Sequence, residues 1–199
     1  RERFGIEREM LMYAPGGFDH RKNIDGLITA MSLLPAELRA RHQLLIASKI
    51  NGHDEAALLE HAARCGLGPD ELILTGYVSD ADLISLYQGA ALFIFASRHE
   101  GFGLPALEAM ACGALVIGAD NTSIPEVIGL DEALFDADRP QAIADKITDV
   151  LTNPGLRARL REHGARQAAR FSWDGSACRA LRALERRHGK APPAPLPFP

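Results

Sequence analysis

The run Leu92-Phe93-Ile94-Phe95-Ala96-Ser97-Arg98-His99-Glu100-Gly101-Phe102-Gly103-Leu104-Pro105-Ala106-Leu107-Glu108 holds a strand, a glycine loop and a helix start in succession. Its first five residues are continuously apolar and partly aromatic. A run of that kind is expected of a strand buried on both faces, as in a parallel sheet with helices on either side. Pro105 suits the first position of a helix, which is predicted over Pro105–Ala111. The loop between carries two glycines, with Glu100 before them and Glu108 in what reads as the first helical turn.

The same alternation extends outward in both directions. Strands are predicted at Met10–Ala14, Gln43–Ala47, Leu72–Thr75, Leu115–Gly118 and Ala133–Phe135. Helices are predicted at Ile24–Leu34, Glu55–Cys65 and Asp82–Tyr87, with Asp54 and Asp80 as N-caps and Gly66 as a stop. After Pro140 the pattern becomes helical throughout, over Ile143–Leu151, Leu156–Phe171 and Trp173–Arg187. The expected architecture is an α/β domain with a doubly wound parallel sheet, Rossmann-like, closed by extra C-terminal helices. It should occupy residues 1–188. Residues 189–199 form a tail with five prolines in the nine residues from Ala191, expected to be extended or disordered.

Composition narrows the functional classes. The 199 residues are 47% hydrophobic and 24% charged, ordinary for a globular protein. A net charge of −4 argues against a general nucleic-acid binder. No apolar run reaches the roughly 18 residues needed to span a bilayer, and no signal peptide is apparent. Cys65, Cys112 and Cys178 are dispersed and odd in number, which fits a reducing cytoplasm. A chain opening on Arg1 reads as a piece of a longer protein.

Ligands of open α/β sheets sit beyond the carboxyl ends of the strands, so the loops after each strand carry the chemistry. After the first strand comes Pro15-Gly16-Gly17-Phe18-Asp19-His20-Arg21-Lys22-Asn23. Gly16 and Gly17 let the backbone approach a ligand, and Arg21 and Lys22 add cations at a helix N-terminus. The combination suits a diphosphate, although for the loop taken alone a solvated turn with two surface bases is the favoured reading. It is no Walker A loop, because that glycine-to-lysine spacing is absent. In the later loop, Glu100 and Glu108 could each accept hydroxyls of a sugar or ribose across a bare turn. The plainer reading is a helix-dipole acid and a solvent-facing acid.

Taken together, these stretches resemble the family 4 (group 1) retaining glycosyltransferases. HEGFGLPALEAMACGALVI, with its E-x7-E spacing from Glu100 to Glu108, is similar to the family's donor-site signature. GGFDHRKN resembles its phosphate loop, LTGYVSDADLISLYQGA its intervening segment and RFSWDGSA its closing helix. The likeness runs from about Met10 to about Arg187. It implies the C-terminal, donor-binding domain of a two-domain GT-B enzyme whose N-terminal acceptor domain is absent. Arg21, Lys22 and Glu100 would then be catalytic. The two cations would stabilise the leaving diphosphate, and Glu100 would meet the hydroxyls of the transferred hexosyl group. Gly16, Gly17, Val78, Phe102, Gly103, Leu104 and Glu108 would bind the donor, with Val78 at the nucleobase and Glu108 at the ribose.

The resemblance implies a nucleoside-diphosphate sugar, GDP- or UDP-linked, as donor substrate, and no metal or other cofactor. It also implies retention of configuration, by front-face displacement assisted by the leaving phosphate, and a glycan or lipid-linked acceptor. Further implications are a cytoplasmic location, peripheral contact with the inner membrane surface, and poor transfer by this domain alone. One departure stands out. Many members carry Arg directly after the first loop glycine, where this chain has Gly17, so the diphosphate site has one cation fewer.

Other signals compete. Gly101-x-Gly103-x-x-Ala106 with Asp120 nineteen positions on fits a dinucleotide fingerprint, and so an NAD-linked oxidoreductase domain. Polar residues separate it from its strand, however, and it follows the fourth strand instead of the first. A nucleotide-sugar-binding module without catalysis is a further alternative. Asp80-x-Asp82 and Asp136-x-Asp138 read better as helix-start acids than as metal ligands. His61 and Cys65 share a helix face with no third ligand nearby.

Overall fold

The computed structural model of the chain describes residues 1–188. They divide into two units, the first ending at Ala168. The Pro-rich tail from 189 lies outside the described residues.

The first unit is built on six strands: β1 (Glu9–Tyr13), β2 (His42–Ile46), β3 (Leu72–Leu74), β4 (Ala90–Phe95), β5 (Val116–Ala119) and β6 (Leu134–Phe135). Every pair is parallel and the order is β3-β2-β1-β4-β5-β6. The winding therefore reverses between β1 and β4, which makes the loops after those two strands the expected ligand crevice. The helices of this unit are α1 (Ile24–Ser32), α2 (Ala36–Arg41), α3 (Gly52–Arg64), α4 (Asp80–Gly89), α5 (Leu104–Ala111), α6 (Ile124–Ile128), α7 (Pro140–Thr152) and α8 (Pro154–Ala168). The second unit holds α9 (Trp173–Arg187), whose N-cap Ser172 accepts from the Gly175 N–H. No residue of α9 is buried.

The continuous apolar strands form the core, as their composition requires. Leu92 to Ala96 are wholly buried, as are Leu11 to Tyr13 and Leu44 to Ile46. Tyr13 meets Phe95 edge-on at 5.9 Å, and Phe93 meets Tyr87 likewise at 5.3 Å. Gly118 in β5 permits a close approach. A Cβ there would lie 2.6 Å from Ile128 Cδ1 and 2.8 Å from Ile124 Cγ2, so α6 packs against the strand backbone itself.

Several local expectations change. Asp54 does not cap α3. Asn51 does, accepting from the Asp54 N–H at 3.0 Å, so the helix starts three residues earlier than predicted. Ser79, not Asp80, caps α4 by accepting from the Asp82 N–H. In both cases the better cap sits just ahead of the acid that drew attention, and the acid falls inside the first turn. The helices α2 and α6 were not predicted. They span six and five residues, too short to show helical periodicity.

Candidate functional site

The carboxyl ends of β1 to β4 open into one cleft of about 650 Å³. Gly16, Gly17, Lys22, Val78, Glu100, Phe102, Gly103, Leu104 and Glu108 all line it. Two distant stretches of sequence, singled out for separate reasons, thus face one space. Ser48, Lys49, Tyr77, Asp80, Leu83 and Tyr87 line it as well.

The first loop is held from beneath. Asn23 adopts a left-handed backbone conformation at the start of α1, and its side-chain amide donates to the carbonyls of Ala96 (3.1 Å) and Ala137 (2.8 Å). The buried Tyr13 hydroxyl donates to the Lys22 carbonyl at 2.8 Å. Its single proton is used there, so Ser97 must be the donor in the 2.8 Å contact between the two hydroxyls. Burial pushes the Tyr13 phenol far above its ordinary range, so it stays protonated and this tether persists. The Arg98 N–H donates to the Arg21 carbonyl at 2.7 Å. The backbones on either side of Lys22 are thus fastened to the β4 loop.

Lys22 Nζ donates to Glu100 Oε1 at 2.7 Å, with both side chains about 15% exposed. One ammonium proton is used, leaving two for a ligand. Glu100 is itself fixed from the β5 loop. Its N–H donates to Thr122 Oγ1 at 3.2 Å, and its carbonyl accepts from Ser123 Oγ at 3.1 Å. Glu108 accepts from the Tyr87 hydroxyl at 3.3 Å. Burial, and next the adjacent Glu108 charge, drive the Tyr87 phenol upward, so it remains a donor.

Gly103 is required by its backbone. Its φ is 109°, and a Cβ there would lie 2.8 Å from Ile124 Cδ1. Gly103 also stands at the N-cap of α5, with no side-chain cap. Pro105 has no N–H and the Ala106 N–H donates to the Gly103 carbonyl at 3.1 Å, so the Leu104 N–H is the helix-start donor left for a ligand.

Two expectations about the acids and bases are revised. Glu108 is the fifth residue of α5 and α5 has no acid in its first turn, so the helix-dipole reading of Glu108 does not hold. Arg21 is not among the cleft-lining residues. Its guanidinium grips Asp19 in a two-bonded fork, Nε to Oδ1 at 3.0 Å and an Nη to Oδ2 at 2.9 Å. The two bases are adjacent in a 3₁₀ turn (His20–Lys22), so their side chains diverge and only one can face the cleft. The Arg21 fork and N–H donation hold the partly exposed Asp19 carboxyl down at about 2.

The signals set aside in the sequence are also placed. Asp82 accepts from Arg3 and Ser79, and Asp138 from Arg98. His61 Nε2 lies 3.0 Å from Thr29 Oγ1 and 3.7 Å from Cys65 Sγ, a local polar cluster. Among the described residues, no three His, Cys, Asp or Glu side chains gather as a metal site would require. No described helix is long and apolar enough to cross a membrane.

Sequence reasoning passed over Lys49 and Tyr87. Lys49 lies two residues past the predicted end of the second strand, where a lone base without a glycine pair gives no phosphate-loop signal. Tyr87 is a core residue whose hydroxyl reaches Glu108 only through the packing of α4 against α5.

Known proteins similar to this chain share one family and one fold. The family described as Glycosyl transferases group 1 matches residues 1–167. The serotype-specific mannosyltransferase WbdA of Escherichia coli is 44% identical over 166 residues, covering 83% of this chain and 20% of that protein. The O-antigen chain mannosyltransferase B of Escherichia coli is 37% identical over 172 residues, covering 85% of this chain and 44% of its own length. The chain therefore spans about a fifth to under half of these relatives. Among solved structures, sucrose-phosphate synthase from Thermosynechococcus elongatus superposes with a TM-score of 0.78 at 24% identity. It covers 92% of this chain and 46% of its own. The family match runs through Gly101 to Asp120, so the dinucleotide fingerprint there lends no support to an oxidoreductase.

Proposed function

Because this chain belongs to the group 1 glycosyltransferases, we propose that its cleft holds the donor, a nucleoside-diphosphate hexose that is GDP- or UDP-linked. The protein then transfers the hexosyl group, with retention, to a glycan or lipid-linked acceptor. Two of its relatives are named mannosyltransferases, which makes mannose the first sugar to try.

One observation carries the proposal: Lys22, Glu100 and Glu108 line the same cleft as two glycine turns. A nucleoside-diphosphate sugar presents two anionic phosphates between two hydroxyl-bearing rings. Lys22 and the N–H groups around Gly16 and Gly17 suit the phosphates. Glu108, steadied by Tyr87, suits the ribose, and the Val78 backbone suits the base. Glu100 and the N–H groups of Phe102, Gly103 and Leu104 suit the hexose and the phosphate beside it. Negative charge grows on the diphosphate as the glycosidic bond breaks, and a fixed ammonium stabilises that charge more than it stabilises the ground state. The pair with Glu100 keeps Lys22 at the junction of sugar and phosphate. The acceptor needs a second wall. Since the relatives are much longer than this chain, the chain alone is expected to bind donor without efficient transfer.

Calorimetric titration with GDP-mannose, UDP-glucose and NAD tests the proposal. Saturable binding of one nucleotide sugar, without NAD binding, is expected. Preferential NAD binding, or no nucleotide binding at all, would refute it.

A further inference from the structure

The cleft is short of positive charge. Its lining holds two lysines, Lys22 and Lys49, against the carboxylates of Asp80, Glu100 and Glu108. Lys22 is already paired with Glu100 at 2.7 Å, and Arg21 is committed to Asp19 away from the lining. A diphosphate entering this space would meet more negative than positive side chains. Lys49 differs from the other bases. It is exposed, it lines the cleft, and among the described residues it makes no hydrogen bond or ion pair.

Its position follows from the sheet. The strands β1 and β2 run parallel with Tyr13 opposite Ile46, and the Ala47 N–H donates to the Tyr13 carbonyl at 2.9 Å. Beyond the strands, Ser48 Oγ donates to the Gly17 carbonyl at 3.1 Å. Lys49 therefore leaves the backbone beside the glycines of the first loop. Gly17 itself contributes no side chain, yet its φ is not left-handed and an added Cβ would meet nothing within 4 Å. There is room for a cation at position 17, and the neighbouring strand end carries one instead.

We propose that Lys49 is the second diphosphate-binding cation of this cleft, taking the part that a basic residue at position 17 would otherwise play. The inference rests on the donor-site reading above. The Lys49 ammonium reaches across the Gly16–Gly17 turn and contacts the phosphates from the side opposite Lys22. The diphosphate is then held between two cations supplied by adjacent strands.

The test compares the chain with Lys49→Gln, and with Lys49→Gln combined with Gly17→Arg, by calorimetry against GDP, UDP, guanosine and uridine at low salt. If the unsubstituted chain binds neither diphosphate, the donor-site reading fails, and not the role of Lys49 in particular. If it binds one, Lys49→Gln is expected to weaken that diphosphate about tenfold or more, the scale of a charge-assisted contact. The matching nucleoside should be unaffected, and the added arginine should restore most of the loss. Unchanged diphosphate affinity in Lys49→Gln would overturn the proposal. So would an equal loss for nucleoside and diphosphate, or no recovery with Gly17→Arg.

Discussion

Lys22 carries more of the account than any other side chain, and its surroundings set what its loss should do. Lys22→Ala removes the ammonium and leaves Glu100 uncompensated beside the phosphates. Diphosphate binding should weaken by about 1.5–3 kcal/mol, and calorimetry at fixed ionic strength measures it. Glu100→Gln does the reverse for free nucleotide. It frees Lys22 and removes a repelling charge, so GDP or UDP should bind at least as well as before. Discrimination between nucleotide sugar and bare nucleotide should fall. Glu108→Ala should weaken both ligands alike. Weaker binding of bare nucleotide by Glu100→Gln would show that the division of labour between the two acids is misassigned. At this scale the residue types and spacings were readable in advance, since Lys22, Glu100 and Glu108 do share a cleft. Which of two adjacent bases faces the cleft was not, because that depends on a 3₁₀ turn and on Asp19 capturing Arg21.

Whole elements place those side chains. The β4 strand and the turn into α5 bring Glu100 and Glu108 to the cleft, and Gly103 makes the turn possible. Gly103→Ala forces a Cβ into a positive-φ site against Ile124, at a cost of about 1–3 kcal/mol. Thermal unfolding should show a lower Tm, and nucleotide binding should weaken as the α5 start shifts. Unchanged Tm would mean the turn is less constrained than its geometry implies. At the opposite edge, Arg39 of α2 donates twice to Glu71, just ahead of β3, with both side chains a quarter exposed or less. The Arg39 contacts hold the Glu71 carboxyl below its ordinary value. A depressed carboxylate stabilises the fold above its unfolded pKa, and that contribution disappears as pH falls through the folded value. The stability gap between the chain and Arg39→Met should therefore be largest near neutral pH and shrink in acid. A gap independent of pH would contradict the pairing. The long buried strands and helices were legible because their periodicities are extended. The caps at Asn51 and Ser79 and the short helices α2 and α6 were not, because a few hydrogen bonds and tertiary packing decide them.

For the molecule as a whole, the parallel sheet reverses its winding between β1 and β4, and that reversal is why Lys22 and Glu100, 78 residues apart in sequence, meet. The family assignment and the crevice agree without depending on each other. One rests on similarity along residues 1–167, the other on strand order and on which side chains face one space. The central claim is that this crevice holds a nucleoside-diphosphate sugar across the β1 and β4 loops. A crystal structure of the chain soaked with GDP-mannose or UDP-glucose tests it most directly. The diphosphate is expected between Lys22 and the Gly16–Gly17 turn, with ribose on Glu108 and hexose on Glu100. A nucleotide sugar bound elsewhere, with this cleft left to solvent, would contradict it.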